Sequence, residues 1–77
     1  MDSTYILLPL MRESIINTVE SLRAKAGVTQ EELAEKVGVT RQTIFALERG
    51  NYTPSVTLAL KVAEYFKIPV EKIFKIH

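Results

Sequence analysis

The sequence predicts a small all-α fold of five helices, and three observations lead to this prediction. Apolar residues recur at steps of three and four through most of the chain after residue 12. Three of these periodic segments are followed by Gly27, Gly38 and Gly50, and a glycine commonly ends a helix in this way. The chain has only 77 residues, about half the size of a usual domain, so we expect a single domain.

Residues 1–11 are expected to form an extended arm ahead of a domain that spans residues 12–77. The segment that starts at Tyr5 favours extended structure, and Pro9 disfavours a helix. The uncharged apolar stretch from Tyr5 to Met11 has seven residues, far fewer than the ~20 that span a bilayer. No basic segment precedes it, as a signal peptide would require, and we expect a cytoplasmic protein. The arm is expected to pack either on its own core or on a partner.

Helix 1 is predicted over about residues 12–26, because apolar residues line one helical face there and Gly27 follows. The apolar face consists of Ile15, Val19, Leu22 and Ala26.

Helices 2 and 3 are short, and a turn of three residues joins them. Thr29 and Glu32 form a capping box at the start of helix 2, which ends at Gly38. Thr40 is the next N-cap, and helix 3 is predicted over residues 41–49. The length and glycine content of this segment are typical of a helix-turn-helix. The residues expected to face inward are Leu33, Ala34, Val37, Ile44 and Leu47.

Ser55 is predicted to cap helix 4, after a turn-forming linker at residues 51–54. Helix 5 is predicted from Val70 to Phe74, and no convincing sheet is expected. The predicted core stripe of helix 4 consists of Ala59, Val62, Ala63 and Phe66.

The composition argues against several kinds of site. The chain has no Cys, and its single His is the last residue, His77. We therefore expect no metal and no cofactor. The formal net charge of +1 neither requires nor excludes a polyanionic partner. An enzyme is not expected, because the chain lacks a phosphate-cradling glycine loop and a carboxylate pair that the helical pattern places in a cleft.

The segment TQEELAEKVGVTRQTIFALERG, at residues 29–50, resembles the helix-turn-helix of the Cro/C1 repressor (XRE) family. The similarity extends to LRAKAG at residues 22–27 and to PSVTLALKVAEYFKIPVEKIF at residues 54–74. This resemblance implies a five-helix, lambda-repressor-like DNA-binding domain whose third helix enters the major groove of double-stranded DNA.

The outward stripe of helix 3 is the candidate reading face, since its apolar positions turn inward. Arg41 offers a bidentate donor fork to guanine, and Gln42 offers a donor and an acceptor to adenine. Phe45 and Ala46 can touch thymine methyl groups, although the Phe45 ring could instead fold over the core.

Several positions are expected to contact DNA phosphates or to hold the fold. Gln30 lies in the first turn of helix 2, where amide donors attract anions, and the resemblance implies that it binds a phosphate. The other expected phosphate contacts are Thr40, Arg49, Asn51 and Tyr52, and the alternative for the loop residues is an ordinary polar turn. The resemblance also implies a semi-buried structural ion pair between Arg23 and Glu48.

Two positions depart from the family pattern. Lys67 stands where the family commonly has Gly, so either a left-handed residue is strained there or the turn differs. Pro69 stands where a Ser or Thr cap is usual.

The function expected is that of a sequence-specific DNA-binding transcriptional regulator, most simply a repressor. One domain reads only a few base pairs, so a homodimer on a palindromic operator is the economical assembly. The alternative is a protein-interaction module, such as an antitoxin or bridging factor, that docks a partner through the arm or helix 5.

Overall fold

The structure, a computed structural model, describes residues 15–76, which form five helices and a two-stranded ribbon. The elements in chain order are β1 (Ile15–Asn17), α1 (Val19–Ala26), α2 (Gln30–Val37), α3 (Arg41–Glu48), α4 (Val56–Phe66), α5 (Val70–Ile73) and β2 (Phe74–Ile76). The prediction of a five-helix, all-α fold is confirmed, with the ribbon as a small addition. The predicted arm at residues 1–11 lies outside the described residues. No helix within residues 15–76 is long and apolar enough to cross a membrane.

One apolar core joins the five helices. On α4 the predicted stripe is wrong at one position, because Leu58 is buried whereas Ala59 is only half-buried. Phe66 is half-buried and packs against the core, as predicted. The helix packs through positions 58, 62 and 63, so its inner face is rotated from the predicted one. The buried residues are Val19, Leu33, Ala34, Val37, Ile44, Leu47, Leu58, Val62, Ala63 and Ile73.

The first helix begins at Val19, so the predicted start near residue 12 is wrong for the part that is described. Asn17 explains this start, because its Oδ1 accepts a hydrogen bond from the Val19 backbone N–H at 3.0 Å. Its Nδ2 donates to the Leu47 carbonyl at 2.9 Å, which fixes the start of α1 on the end of α3. Ile15, which was predicted to lie on the helix, therefore lies in β1.

The prediction that the chain has no sheet is also wrong, because β1 and β2 form an antiparallel ribbon. Ile15 pairs with Ile76, and Asn17 pairs with Phe74. Phe74 thus belongs to β2, so α5 ends one residue earlier than predicted. Strands of three residues are too short to reveal an alternating pattern in the sequence.

Lys67 ends α4 in the left-handed conformation, with φ 57°. Of the two alternatives for this position, the strained left-handed residue is the observed one. The Lys67 N–H donates to the Glu64 carbonyl at 3.2 Å, and the Ile68 N–H donates to the Ala63 carbonyl at 3.1 Å. These bonds close the helix and hold Lys67 in place. Pro69 then precedes α5 without a side-chain cap hydrogen bond.

Candidate nucleic-acid interface

Side-chain caps and a left-handed glycine hold α2 and α3 in place. The Thr29 hydroxyl accepts from the Glu32 N–H, and the Glu32 carboxylate accepts from the Thr29 N–H, both at 3.0 Å, so the predicted capping box is present. The bond from the Thr29 N–H, with a smaller contribution from its hydroxyl, lowers the pKa of Glu32. Gly38 ends α2 with φ 77°. The Thr40 hydroxyl accepts from the Thr43 N–H at 3.2 Å at the start of α3.

The outward surface of α3 carries the residues that the sequence assigns to base contacts. Arg41 and Gln42 are exposed in the first turn, and Ala46 is half-buried. Phe45 is 46% exposed, so its ring does not join the core. The Arg49 guanidinium lies over the Phe45 ring, 5.3 Å from its centroid. These side chains share one surface because the apolar positions of α3 take the opposite face.

An open polar cleft of about 440 Å³ brings Gln30 and Arg41 together. The cleft lies between the end of α1, the first turn of α2 and the start of α3. Backbone amides in the first turn of a helix attract anions, and a guanidinium strengthens this attraction. Glu31 also lines the cleft and opposes an anion, so the groups suited to a phosphate are Gln30 and Arg41 rather than the cleft as a whole.

The remaining candidate phosphate contacts lie at the two ends of α3. Thr40 is exposed at the start, and its hydroxyl shares a hydrogen bond of 3.1 Å with the Thr43 hydroxyl. The sequence did not single out Thr43 for this surface. At the other end, Arg49 and Asn51 are exposed and Tyr52 is 41% exposed. These three residues follow one another closely in the chain just beyond α3.

Arg23 and Glu48 form an ion pair that is largely shielded from solvent. The exposed fraction is 15% for the Arg23 side chain and 3% for that of Glu48. The Glu48 carboxylate accepts from Arg23 Nε at 2.6 Å and from Nη2 at 3.1 Å. Hydrogen bonding to Glu48 raises the pKa of Arg23. Because Arg23 also donates to the Val28 carbonyl at 2.9 Å, the pair ties α1 and the turn after it to the end of α3.

Gln30 is bound to the same carboxylate, a contact that the sequence did not predict. Gln30 Nε2 donates to Glu48 Oε1 at 3.0 Å. An amide nitrogen has two N–H groups, so one donor remains for a phosphate. Gln30 and Glu48 are 18 positions apart, and no local sequence pattern links them.

Within residues 15–76, no group of three or more His, Cys, Asp or Glu side chains could hold a metal ion.

Two short helices joined by a tight turn, with a polar outer surface on the second, define the helix-turn-helix class of DNA-binding domains. A family model described as helix-turn-helix matches residues 19–73. The chain belongs to the Cro/C1-type (XRE) family of helix-turn-helix transcriptional regulators.

Individual relatives agree with this assignment. The chain is 52% identical over 58 residues to the uncharacterized HTH-type transcriptional regulator YgzD of Bacillus subtilis, covering 75% of this chain and 88% of YgzD. It is 29% identical over 55 residues to the cryptic phage CTXphi transcriptional repressor RstR of Vibrio cholerae, covering 71% of this chain and 50% of RstR. The crystal structure of the restriction-modification controller protein C.AhdI of Aeromonas hydrophila matches with a TM-score of 0.65 and 31% identity. That match covers 70% of this chain and 82% of C.AhdI.

Proposed function

We propose that the protein is a sequence-specific regulator that reads the major groove of double-stranded DNA with α3. The observation that carries the proposal is the outward surface of this helix, where Arg41 and Gln42 are exposed beside Phe45. An α-helix fits the major groove, and these two polar side chains are of the types that discriminate base edges there. Phe45 and Ala46 complete the proposed base contacts.

Phosphate contacts would fix the register of α3 without reading sequence. Gln30 and Thr40 would bind the backbone near the start of α3, since Gln30 shares its cleft with Arg41. Arg49, Asn51 and Tyr52 would bind it beyond the other end. Arg23 and Glu48 have a structural role in this proposal, because their ion pair fixes α3 on the core.

A homodimer on a palindromic operator is the proposed assembly. Two half-sites about one helical turn (~34 Å) apart would give more specificity than one domain provides. An apolar groove supports a second copy as the partner, since Val56 and Leu60 in it are 76% and 54% exposed. The groove lining consists of Ile15, Thr53, Pro54, Val56, Ala59, Leu60, Val70 and Phe74.

The assembly is tested by placing a charge in the groove with Leu60→Asp. Light scattering should give a dimer for the wild type and a monomer for the variant, because a buried unpaired carboxylate is costly. Lys61→Asp is the matched control, since it adds a carboxylate at the neighbouring exposed position of α4, and it should remain dimeric. A Leu60→Asp variant that stays dimeric would show that the groove is not the interface.

Repression is the proposed outcome, because occupancy of a promoter by one DNA-binding domain is enough to block it. The similarity to a phage repressor supports this role. The groove also favours the second candidate, a protein-interaction module, because Val70 of α5 lines it. A monomeric wild type that binds DNA without sequence preference would favour that second function.

The DNA-reading proposal is tested by selecting sites from a random duplex pool at a stated salt concentration, because phosphate contacts make affinity salt-dependent. The wild type should recover a palindrome, and Arg41→Ala/Gln42→Ala should lose preference at particular positions. Lys72→Ala on α5, an exposed charge away from α3, should recover the wild-type site. An unstructured pool from the wild type would overturn the proposal.

A further inference from the structure

An aromatic ring stands exposed in the middle of the polar surface of α3. Phe45 is 46% exposed, although the apolar side chains on the opposite face of the same helix are buried. Exposed apolar surface in a recognition surface is most useful when the partner offers apolar surface to cover it. If the partner is DNA, the chemistry of the major groove determines which apolar group can cover the ring.

Base edges in the major groove present hydrogen-bond donors, acceptors and a single kind of apolar group, the C5-methyl of thymine. A phenyl ring cannot satisfy the donors or acceptors of guanine, adenine or unmodified cytosine. 5-Methylcytosine carries the same methyl group at the same ring position as thymine. The groups that fit Phe45 are therefore C5-methylated pyrimidines.

Arg49 contacts the ring of Phe45. Its guanidinium lies 5.3 Å from the ring centroid and covers one face of the ring. This cation–π contact joins positions 45 and 49, one helical turn apart, and a contact of this kind favours one orientation of the ring. The uncovered part of the ring is left for the DNA.

We propose that Phe45, positioned by Arg49, recognises the C5-methyl group of a pyrimidine, so that cytosine methylation can substitute for thymine in this contact. The inference rests on the proposed reading of DNA by α3. It adds the exchange of 5-methylcytosine for thymine at the Phe45 contact and a positioning role for Arg49.

The test uses the duplex selected by the wild-type protein, with each thymine replaced singly by deoxyuridine, which removes only the methyl group. At the position that Phe45 contacts, the Kd should rise about three- to fivefold, as expected for one buried methyl. Phe45→Ala should bind the thymine and uracil duplexes equally, whereas Phe45→Leu should keep part of the difference. A thermal melt of each variant checks that the fold is retained.

Two further measurements separate the roles of the two residues. If Arg49 positions the ring, Arg49→Ala should lower the thymine-to-uracil ratio of affinities at that position. If Arg49 only contacts a phosphate, both duplexes should weaken by the same factor and the ratio should be unchanged. With cytosine placed at the same position, C5 methylation should tighten binding by the wild type but not by Phe45→Ala.

The proposal is overturned if the wild type prefers its selected site yet binds every uracil-substituted duplex equally well. That result would leave the proposed function standing. A wild type with no sequence preference would remove the proposed function and this inference together. An unchanged thymine-to-uracil ratio in Arg49→Ala would remove only the positioning role.

Discussion

Lys67→Gly should stabilise the protein, because Lys67 is the one non-glycine residue within residues 15–76 that has a positive φ, at 57°. A residue with a Cβ is destabilised by roughly 1–2 kcal/mol in the left-handed region. Substituting glycine removes this strain, but the greater freedom of glycine in the unfolded chain offsets about 0.4–1 kcal/mol of the gain. The net gain should be ~0.5–1 kcal/mol, and the Tm of a domain this small should rise by roughly 2–8 °C.

Thermal and urea unfolding followed by circular dichroism measure this gain. Lys67→Ala is the matched control, since it removes the charged side chain but keeps the Cβ, and it should stay within about 0.5 kcal/mol of the wild type. Lys67→Asn should fall between the two, because asparagine tolerates left-handed dihedrals better than other residues with a Cβ. If Lys67→Gly is no more stable than Lys67→Ala, the assignment of strain to this residue is wrong.

Three further predictions concern the ion pair, the helix cap and the core packing that hold the reading helix. Arg23→Ala should cost ~3–5 kcal/mol in urea unfolding, because it leaves the shielded carboxylate of Glu48 without a cation and bonded only to the Gln30 amide. Arg23→Met/Glu48→Leu should cost far less. A loss below about 1 kcal/mol, as for a solvent-exposed pair, would contradict this. Thr29→Ala should cost ~1 kcal/mol through loss of the capping box. The pKa of Glu32 is lowered in the folded protein, so its carboxylate should add to the free energy of unfolding at a pH above 4.5, its ordinary pKa. This stabilisation should be lost as the pH falls through the folded pKa. Glu32→Gln should remove that pH dependence, and an unchanged pH profile would refute the assignment. Ile44→Val should cost about 0.5–1.5 kcal/mol by opening a small cavity in the core, and a neutral result would argue against tight packing around α3.

The helix-turn-helix could be predicted from sequence because its signals are local. The bonds of the capping box join Thr29 to Glu32, only three positions away. Gly38 marks the turn through its own backbone preference, and the inward positions of α2 and α3 follow from the helical period. The outward positions of α3 follow in turn, once Ile44 and Leu47 are placed in the core.

The ribbon could not be predicted in the same way, because its partners lie at opposite ends of the domain. Ile15 stands four positions before Val19, a spacing that fits a helix equally well, while its actual partner is Ile76. The helix start depends on Asn17, whose side chain also reaches the carbonyl of Leu47, 30 positions away. Neither relation is visible within a short window of sequence.

The side-chain contacts of the site could be predicted from the sequence only in part. Gln30 could be placed in the first turn of α2, but its bond to Glu48 depends on the packing of α2 against α3. The stacking of Arg49 on Phe45 fits a spacing of four residues, yet the same spacing also allows both side chains to extend into solvent. Residue type and helical phase give the surface, whereas rotamers decide which side chains meet on it.

The central claim, that α3 reads base sequence, is tested most directly by the ratio of two dissociation constants. The duplex selected by the protein and a scrambled duplex of equal length and composition are titrated at the same salt concentration. The wild type should prefer the selected duplex by about 10³-fold or more, and Arg41→Ala/Gln42→Ala should lower that preference by roughly 100-fold or more. Equal affinity of the wild type for both duplexes would contradict the account.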